Sequence, residues 1–249
     1  RTTFSAVEEE PVQVIAASAN VSLPVIDLSR FSETEREDEA RRLALEEADK
    51  PFDLRQGPLF RTALIRLGEY DHVLLLTLHH IVSDGWSMGV LYRELSALYQ
   101  AFANEEPSPL ADLPIQYADF AVWQRDWLRG EVLENHLSYW KKQLGGIPAV
   151  LNFPTDRPRP ARQSYRGARQ SIELSSELTQ GLKALSRKEG VTLYMTLLAA
   201  FQILLHRYTG QDDIVVGSPI ANRNRIEIES LIGFFVNTLV LRTDHSGNP

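Results

Sequence analysis

Two adjacent histidines open the run His79-His80-Ile81-Val82-Ser83-Asp84-Gly85, the sharpest local gathering of chemistry-bearing side chains in the sequence. An imidazole titrates near neutral pH and can take a proton from an amine or an alcohol. Asp84 could orient an imidazole, cap a following helix or pair with an arginine elsewhere. Gly85 permits a backbone conformation that a side chain would penalise. Three other readings compete. The two histidines and Asp84 could suggest a metal, but neighbouring residues of a strand point to opposite faces, and no further ligand stands at motif spacing. A Ser-His-Asp hydrolase would want a G-x-S-x-G elbow, and none is present. Two buried histidines with satisfied hydrogen bonds would do no chemistry.

The elements around this run must place it. Residues 71–79 are almost continuously apolar, as in a strand buried on both faces in the middle of a sheet. A helix follows Gly85, with Leu91, Leu95, Leu98, Tyr99 and Phe102 at a 3.6-residue period. The histidines therefore lie where a strand ends and a helix begins, a favoured place for reactive groups in α/β proteins. One histidine should enter a site and the other should pack. Upstream, 12–16 and 21–26 read as strands around a turn at Ala19-Asn20, 33–50 as a charged surface helix, and 59–67 as a strand. Downstream, 117–128 and 131–144 read as aromatic-rich helices. Gln170–174 is read as a strand and 176–189 as a helix closed by Gly190. Thr192 caps a helix through Tyr208, with Leu197, Phe201, Leu204, Leu205 and Tyr208 inward. Residues 213–218 and 234–242 read as strands.

Pro154-Thr155-Asp156-Arg157-Pro158-Arg159-Pro160 cannot form a regular element, since proline removes donors and restricts its neighbours. Its arginines suit a stiff surface connector or a phosphate site. This divides the chain into an N-terminal lobe over 1–153, a linker over 154–167 and a second lobe over 168–249. Mixed strands and helices on both sides predict two α/β lobes.

Composition narrows the function further. The chain has 249 residues, with 26 Lys+Arg against 33 Asp+Glu, a net charge of −7. An acidic chain argues against nucleic-acid binding. There are no cysteines, which excludes disulfides, thiolate catalysis and Cys-based zinc sites and fits a reducing, cytoplasmic setting. No apolar run has the length of a membrane span, and no membrane role is expected. The chain opens at Arg1 without an initiator Met and closes on Gly247-Asn248-Pro249, so both ends are expected to be cuts inside a longer polypeptide.

His79 through Gly85 resembles the HHxxxDG motif of the condensation domains of nonribosomal peptide synthetases. Three further stretches resemble that family in the same order. Arg1-Thr2-Thr3-Phe4 resembles the end of RHExLRTxF, Tyr117-Ala118-Asp119-Phe120-Ala121-Val122-Trp123 resembles YxDFAVW, and Ile232-Gly233-Phe234-Phe235-Val236-Asn237-Thr238 resembles IGxFVNT. Chloramphenicol acetyltransferase and related acyltransferases carry a similar histidine motif. The resemblance spans the whole chain and marks it as an internal part of such a domain.

The resemblance implies two chloramphenicol-acetyltransferase-like lobes, the second incomplete, with the histidines in a tunnel between them. It implies peptide-bond formation: the amine of an acceptor aminoacyl thioester attacks a donor acyl or peptidyl thioester. His80 would be catalytic, by positioning and accepting a proton. His79, Asp84 and Gly85 would support it, and Trp86, Ser87 and Asn237 would line the tunnel. The family's arginine partner for Asp84 is expected upstream of Arg1, leaving Asp84 unpaired here. The domain would bind no cofactor of its own and no metal. Phosphopantetheine would arrive on upstream and downstream peptidyl carrier proteins, with an adenylation domain adjacent. The run from Ser83 to Gly89 resembles the subtype that joins an L-configured donor to an L-configured acceptor. A CoA-dependent acyltransferase and a non-catalytic docking domain are the alternatives. The isolated 249-residue piece is expected to be inactive.

Overall fold

The computed structural model describes residues 1–148, 150–158, 160–162, 164 and 167–247. Arg159, Gln163, Tyr165 and Arg166 of the expected linker, and Asn248 and Pro249 at the end, lie outside the described residues. The chain forms two compact units interleaved in sequence. The first is Arg1–Gln124 with Ala221–Val236; the second is Arg125–Ile220 with Asn237–Pro249. The division therefore does not fall at 154–167. The chain leaves the first unit near residue 124, and 221–236 belongs to that unit because its Ile228, Leu231 and Phe235 share a core with Phe120.

In the first unit, β1 (Thr2–Val7) pairs antiparallel with β2 (Glu10–Ile15). The connection is Glu8-Glu9, with φ of 51° and 69°. Positive φ at both central residues matches the twist of the flanking strands. The expected turn at Ala19-Asn20 is not used: β2 takes its partner upstream, and β3 (Val25–Asp27) joins another sheet. In that sheet β3 runs parallel to β4 (Phe60–Arg66), and β4 pairs antiparallel with β5 (His72–Leu78), in the order β3-β4-β5. Among the described residues β4 is central and β5 is an edge. The apolar run of β5 had suggested the reverse; Leu74 on it is exposed.

Between β3 and β4 lies α1 (Glu33–Asp49). At its start Glu35 accepts from the Ser32 backbone N–H at 3.0 Å and from the Ser32 hydroxyl at 2.6 Å, half of a capping box. Few apolar positions suffice to seat this charged helix: Ala40 is buried with Leu28 and Ile65, and Leu43 packs against them. After β5 come a short 3-10 turn over His80–Val82 and α2 (Gly85–Ala103). The periodic apolar face of α2 is largely open, with Tyr99 75% and Phe102 61% exposed, while Ser87, Val90 and Ala101 are buried. Periodicity fixes which residues share a face and not what covers it. Then α3 (Tyr117–Trp127) contributes Phe120 to the second core of this unit.

The second unit contains α4 (Gly130–Gln143), α5 (Ser176–Lys188), α6 (Leu193–Thr209) and the antiparallel pair β6 (Asp213–Ile220) and β7 (Asn237–Asp244). The Thr192 hydroxyl accepts from Met195 N–H at 3.2 Å, and Gly210 closes α6 at φ 65°. Of the α6 residues expected inward, Leu205 is buried, whereas Leu197, Phe201, Leu204 and Tyr208 are exposed. The strand expected at 170–174 does not form; Ile172 stands exposed, and no neighbouring strand pairs with it among the described residues. Arg242 on β7 grips Asp213 at 2.7 Å and donates to Gln143 O and Gly145 O, joining the end of α4 to the strand pair. No single helix among the described residues is long and apolar enough to cross a membrane.

Candidate functional site

The strand geometry of β5 stops at Leu78, and the two histidines occupy separate surroundings. His79 is the N-cap of the 3-10 turn. Its Nδ1 accepts from Ile81 N–H at 3.0 Å, and its ring stands edge-on to Phe52 with centroids 5.5 Å apart. His79 is thus held as a packing residue. The His80 Nδ1 lies 2.6 Å from Ser83 O. A carbonyl oxygen only accepts, so Nδ1 carries the proton, and in the neutral ring the lone pair sits on Nε2. The His80 ring also meets Phe234 edge-on, with centroids 5.1 Å apart and planes at 89°. His80, Gly85, Met88, Leu76 and Leu78 line a cavity of about 600 Å³.

Asp84 does not face this cavity as a free acid. It is the N-cap of α2, buried, and bonded through both oxygens. Its Oδ1 accepts from Ser87 N–H at 2.8 Å and lies 3.2 Å from Arg223 Nη2; its Oδ2 accepts from Phe235 N–H at 2.9 Å. Burial pushes the carboxyl up, but the Phe235 and Ser87 N–H groups, the Ser87 hydroxyl and the Arg223 charge together hold it below the ordinary carboxylate range. The expectation of an unpaired Asp84 is therefore corrected. Its partner is Arg223, and the two side chains are only 3% and 1% exposed. The Arg223 guanidinium also donates to Ile228 O at 2.5 Å, to Leu231 O at 2.7 Å and to Ser87 Oγ at 2.9 Å, and lies 4.1 Å from the centre of the Phe235 ring.

Ser87 was expected in a tunnel wall. It is fully buried instead, its Oγ 2.8 Å from both Asp84 Oδ1 and Gly233 O and accepting from Gly233 N–H at 3.0 Å. Every hydrogen-bonding capacity of this hydroxyl is used inside the protein, so it supports the turn rather than meeting a ligand. Trp86 is half-exposed, with its indole N–H donating to Glu229 O at 2.8 Å. Asn237 belongs to the second unit, where it opens β7 and accepts from Thr238 N–H at 2.8 Å. Gly85 was expected to need unusual backbone freedom. It has no positive φ, and a Cβ there would meet nothing within 4 Å; what the glycine provides is open space beside the cavity.

Sequence reasoning missed Arg223, Tyr117 and Gly233 as parts of this arrangement. The Tyr117 hydroxyl donates to Phe234 O at 2.7 Å. Burial, then the nearby Asp84 charge, raises its pKa and keeps it a donor. A Cβ on Gly233 would overlap Tyr117 Cδ2, so only glycine fits under the ring. The available signals were the two matched stretches that contain Tyr117 and Gly233, and the Asn222-Arg223-Asn224 run before the second of them.

A strand leading into a double-histidine turn, with an ionic lock behind it, is thus set in a chain of mixed helices and sheets. Comparisons with known proteins give the family. The Condensation domain family matches residues 1–248, and the chain belongs to that family. Over its full length it is 59% identical to one of the proteins that make up the linear gramicidin synthase of Brevibacillus parabrevis, and it spans 5% of that protein. The X-domain from teicoplanin biosynthesis superposes with a TM-score of 0.88 at 31% identity, over 100% of this chain and 55% of that one. The first condensation domain of the calcium-dependent antibiotic synthetase, solved in complex with a substrate analogue, superposes with a TM-score of 0.74 at 26% identity, over 98% and 57%.

Proposed function

We propose that this chain carries the reaction centre of a domain that forms peptide bonds between thioesters held on carrier proteins in a nonribosomal peptide synthetase. The observation that carries this reading is the His80 ring, fixed by Ser83 O so that Nε2 is the basic nitrogen, at the edge of a cavity. The acceptor amine attacks the donor carbonyl, the C–N bond forms, and the C–S bond breaks to release the donor carrier's thiol. Nε2 accepts the proton that the attacking nitrogen must lose, and that proton can leave with the thiolate. An α-ammonium has a pKa near 8, so the base has little to supply, and holding two tethered reactants in line contributes several kcal/mol by itself. His80 therefore acts by positioning the amine as well as by accepting its proton. His79, Asp84 and Gly85 support it, and Trp86 and Asn237 remain candidates for the substrate path.

The partners of this reading are an upstream and a downstream peptidyl carrier protein, each bringing its substrate on phosphopantetheine, and an adjacent adenylation domain. Both substrates are L-configured at the reacting residues. The test is single-turnover dipeptide formation between two loaded carrier proteins in the intact synthetase. His80→Ala is expected to slow it by about 10²-fold. A rate equal to that of the unaltered protein would overturn the role of His80 and favour a non-catalytic docking function.

A further inference from the structure

Resting on that reading, we propose that Phe234 is a positioning residue for His80, the second jaw of a clamp whose first jaw is Ser83 O. The two contacts act on different degrees of freedom. The hydrogen bond from Nδ1 to Ser83 O at 2.6 Å fixes the tautomer and one edge of the imidazole. It leaves the ring free to tilt about that bond. The perpendicular ring of Phe234, 5.1 Å away, removes the tilt, since aromatic pairs hold a preferred edge-to-face geometry. Together they set the direction of Nε2.

Phe234 can do this because its own backbone is held on both sides. Its carbonyl accepts from Tyr117 OH at 2.7 Å, and the next N–H, that of Phe235, donates to Asp84 Oδ2 at 2.9 Å. The residue before it, Gly233, donates its N–H to Ser87 Oγ at 3.0 Å, and its carbonyl oxygen lies 2.8 Å from the same hydroxyl. Asp84 and Ser87 belong to the same turn that carries His80. The histidine and the ring that meets it are thus referenced to one rigid frame, although they lie more than 150 positions apart in sequence.

The experiment compares Phe234→Ala, Phe234→Leu and Phe234→Tyr in the intact synthetase. Single-turnover kinetics are read as separate kcat and KM for the acceptor, with thermal midpoints alongside. Histidine-labelled protein reports the His80 tautomer by nitrogen NMR. Phe234→Ala is expected to lower kcat on the order of tenfold with KM nearly unchanged, because a tilted base misplaces the reacting atoms. It is also expected to broaden or shift the His80 Nε2 signal. Phe234→Leu keeps apolar volume without a ring and should stay low, while Phe234→Tyr should recover most of the loss. An Ala variant with unaltered kcat and an unaltered His80 signal overturns the clamp. So does a loss confined to KM, which would make Phe234 a substrate contact, or a loss that Leu repairs as well as Tyr, which would make it a space filler. Failure of the catalytic reading is told apart by His80→Ala: full activity there removes the reaction role of His80, while the NMR response to Phe234 still decides the clamp.

Discussion

Replacing Arg223 by methionine removes a buried charge while keeping an unbranched side chain of comparable reach. Arg223 Nη2 lies 3.2 Å from Asp84 Oδ1, with both side chains almost wholly buried. At an effective dielectric near 20, two unit charges at that separation attract by about 5 kcal/mol. The desolvation of both groups offsets much of this in the intact pair. The variant keeps the Asp84 desolvation and loses the attraction, the situation that costs about 3–5 kcal/mol. The lower end applies here, because Asp84 retains the Ser87 and Phe235 N–H groups. The carbonyls of Ile228 and Leu231, which lose their guanidinium donor, add to the cost. Arg223→Met should therefore destabilise the first unit by about 3 kcal/mol, read as a lower denaturant midpoint at constant slope in the complete parent domain. The double variant with Asp84→Asn should lose less than the sum of the single losses, with a coupling of about 1–3 kcal/mol. A single-variant cost below about 1 kcal/mol, or a strictly additive cycle, would refute the ionic lock.

Two further outcomes follow from the same frame. Gly233→Ala drives a Cβ into the Tyr117 ring, so that ring or the 232–235 backbone must shift; about 1–3 kcal/mol of stability should be lost, and a midpoint equal to that of the unaltered protein would contradict the packing. Asp84 has a folded pKa below its unfolded value near 3.9, so its contribution is fully present above that pH and drains away as pH falls through the folded value. Stability measured from pH 6 down to pH 2 should thus fall more steeply for the unaltered protein than for Asp84→Asn, and parallel curves would show that the carboxylate is not preferentially ionised in the fold.

Local signals were legible, and their legibility has a physical basis. Thr192 was readable as the start of α6 because a hydroxyl can accept from an N–H at a helix start. The cap of α5 by Ser175 was found only in the structure. The strand-to-helix turn at His79–Gly85 was readable because an apolar run gives way to a periodic one there. The hairpin of β1 and β2 was not, since Glu8-Glu9 lacks the usual residues of a turn with two positive φ values. The exposure of Tyr99, Phe102, Phe201 and Tyr208 was not readable either. A 3.6-residue period reports that side chains share a face, and it is silent on the element opposite.

The site shows the limit most clearly in Asp84. A cap was one of three roles its place before an apolar helix left open, and Ser87 N–H at 2.8 Å uses it as one. A cap at a helix start can be exposed and satisfied by its own turn. Asp84 is buried, and a buried carboxylate needs compensation beyond one or two N–H groups. That requirement predicts a cation but not which one, because a contact across 139 positions leaves no trace in local spacing. Arg223 meets it from a segment that also brings Phe234 to the His80 ring and Phe235 N–H to the second carboxylate oxygen. One ion pair therefore does two things at once: it neutralises the cap of α2, and it fixes the segment 221–236 against the turn that carries His80. The position of His80 depends on residues that no local reading of its motif could have chosen.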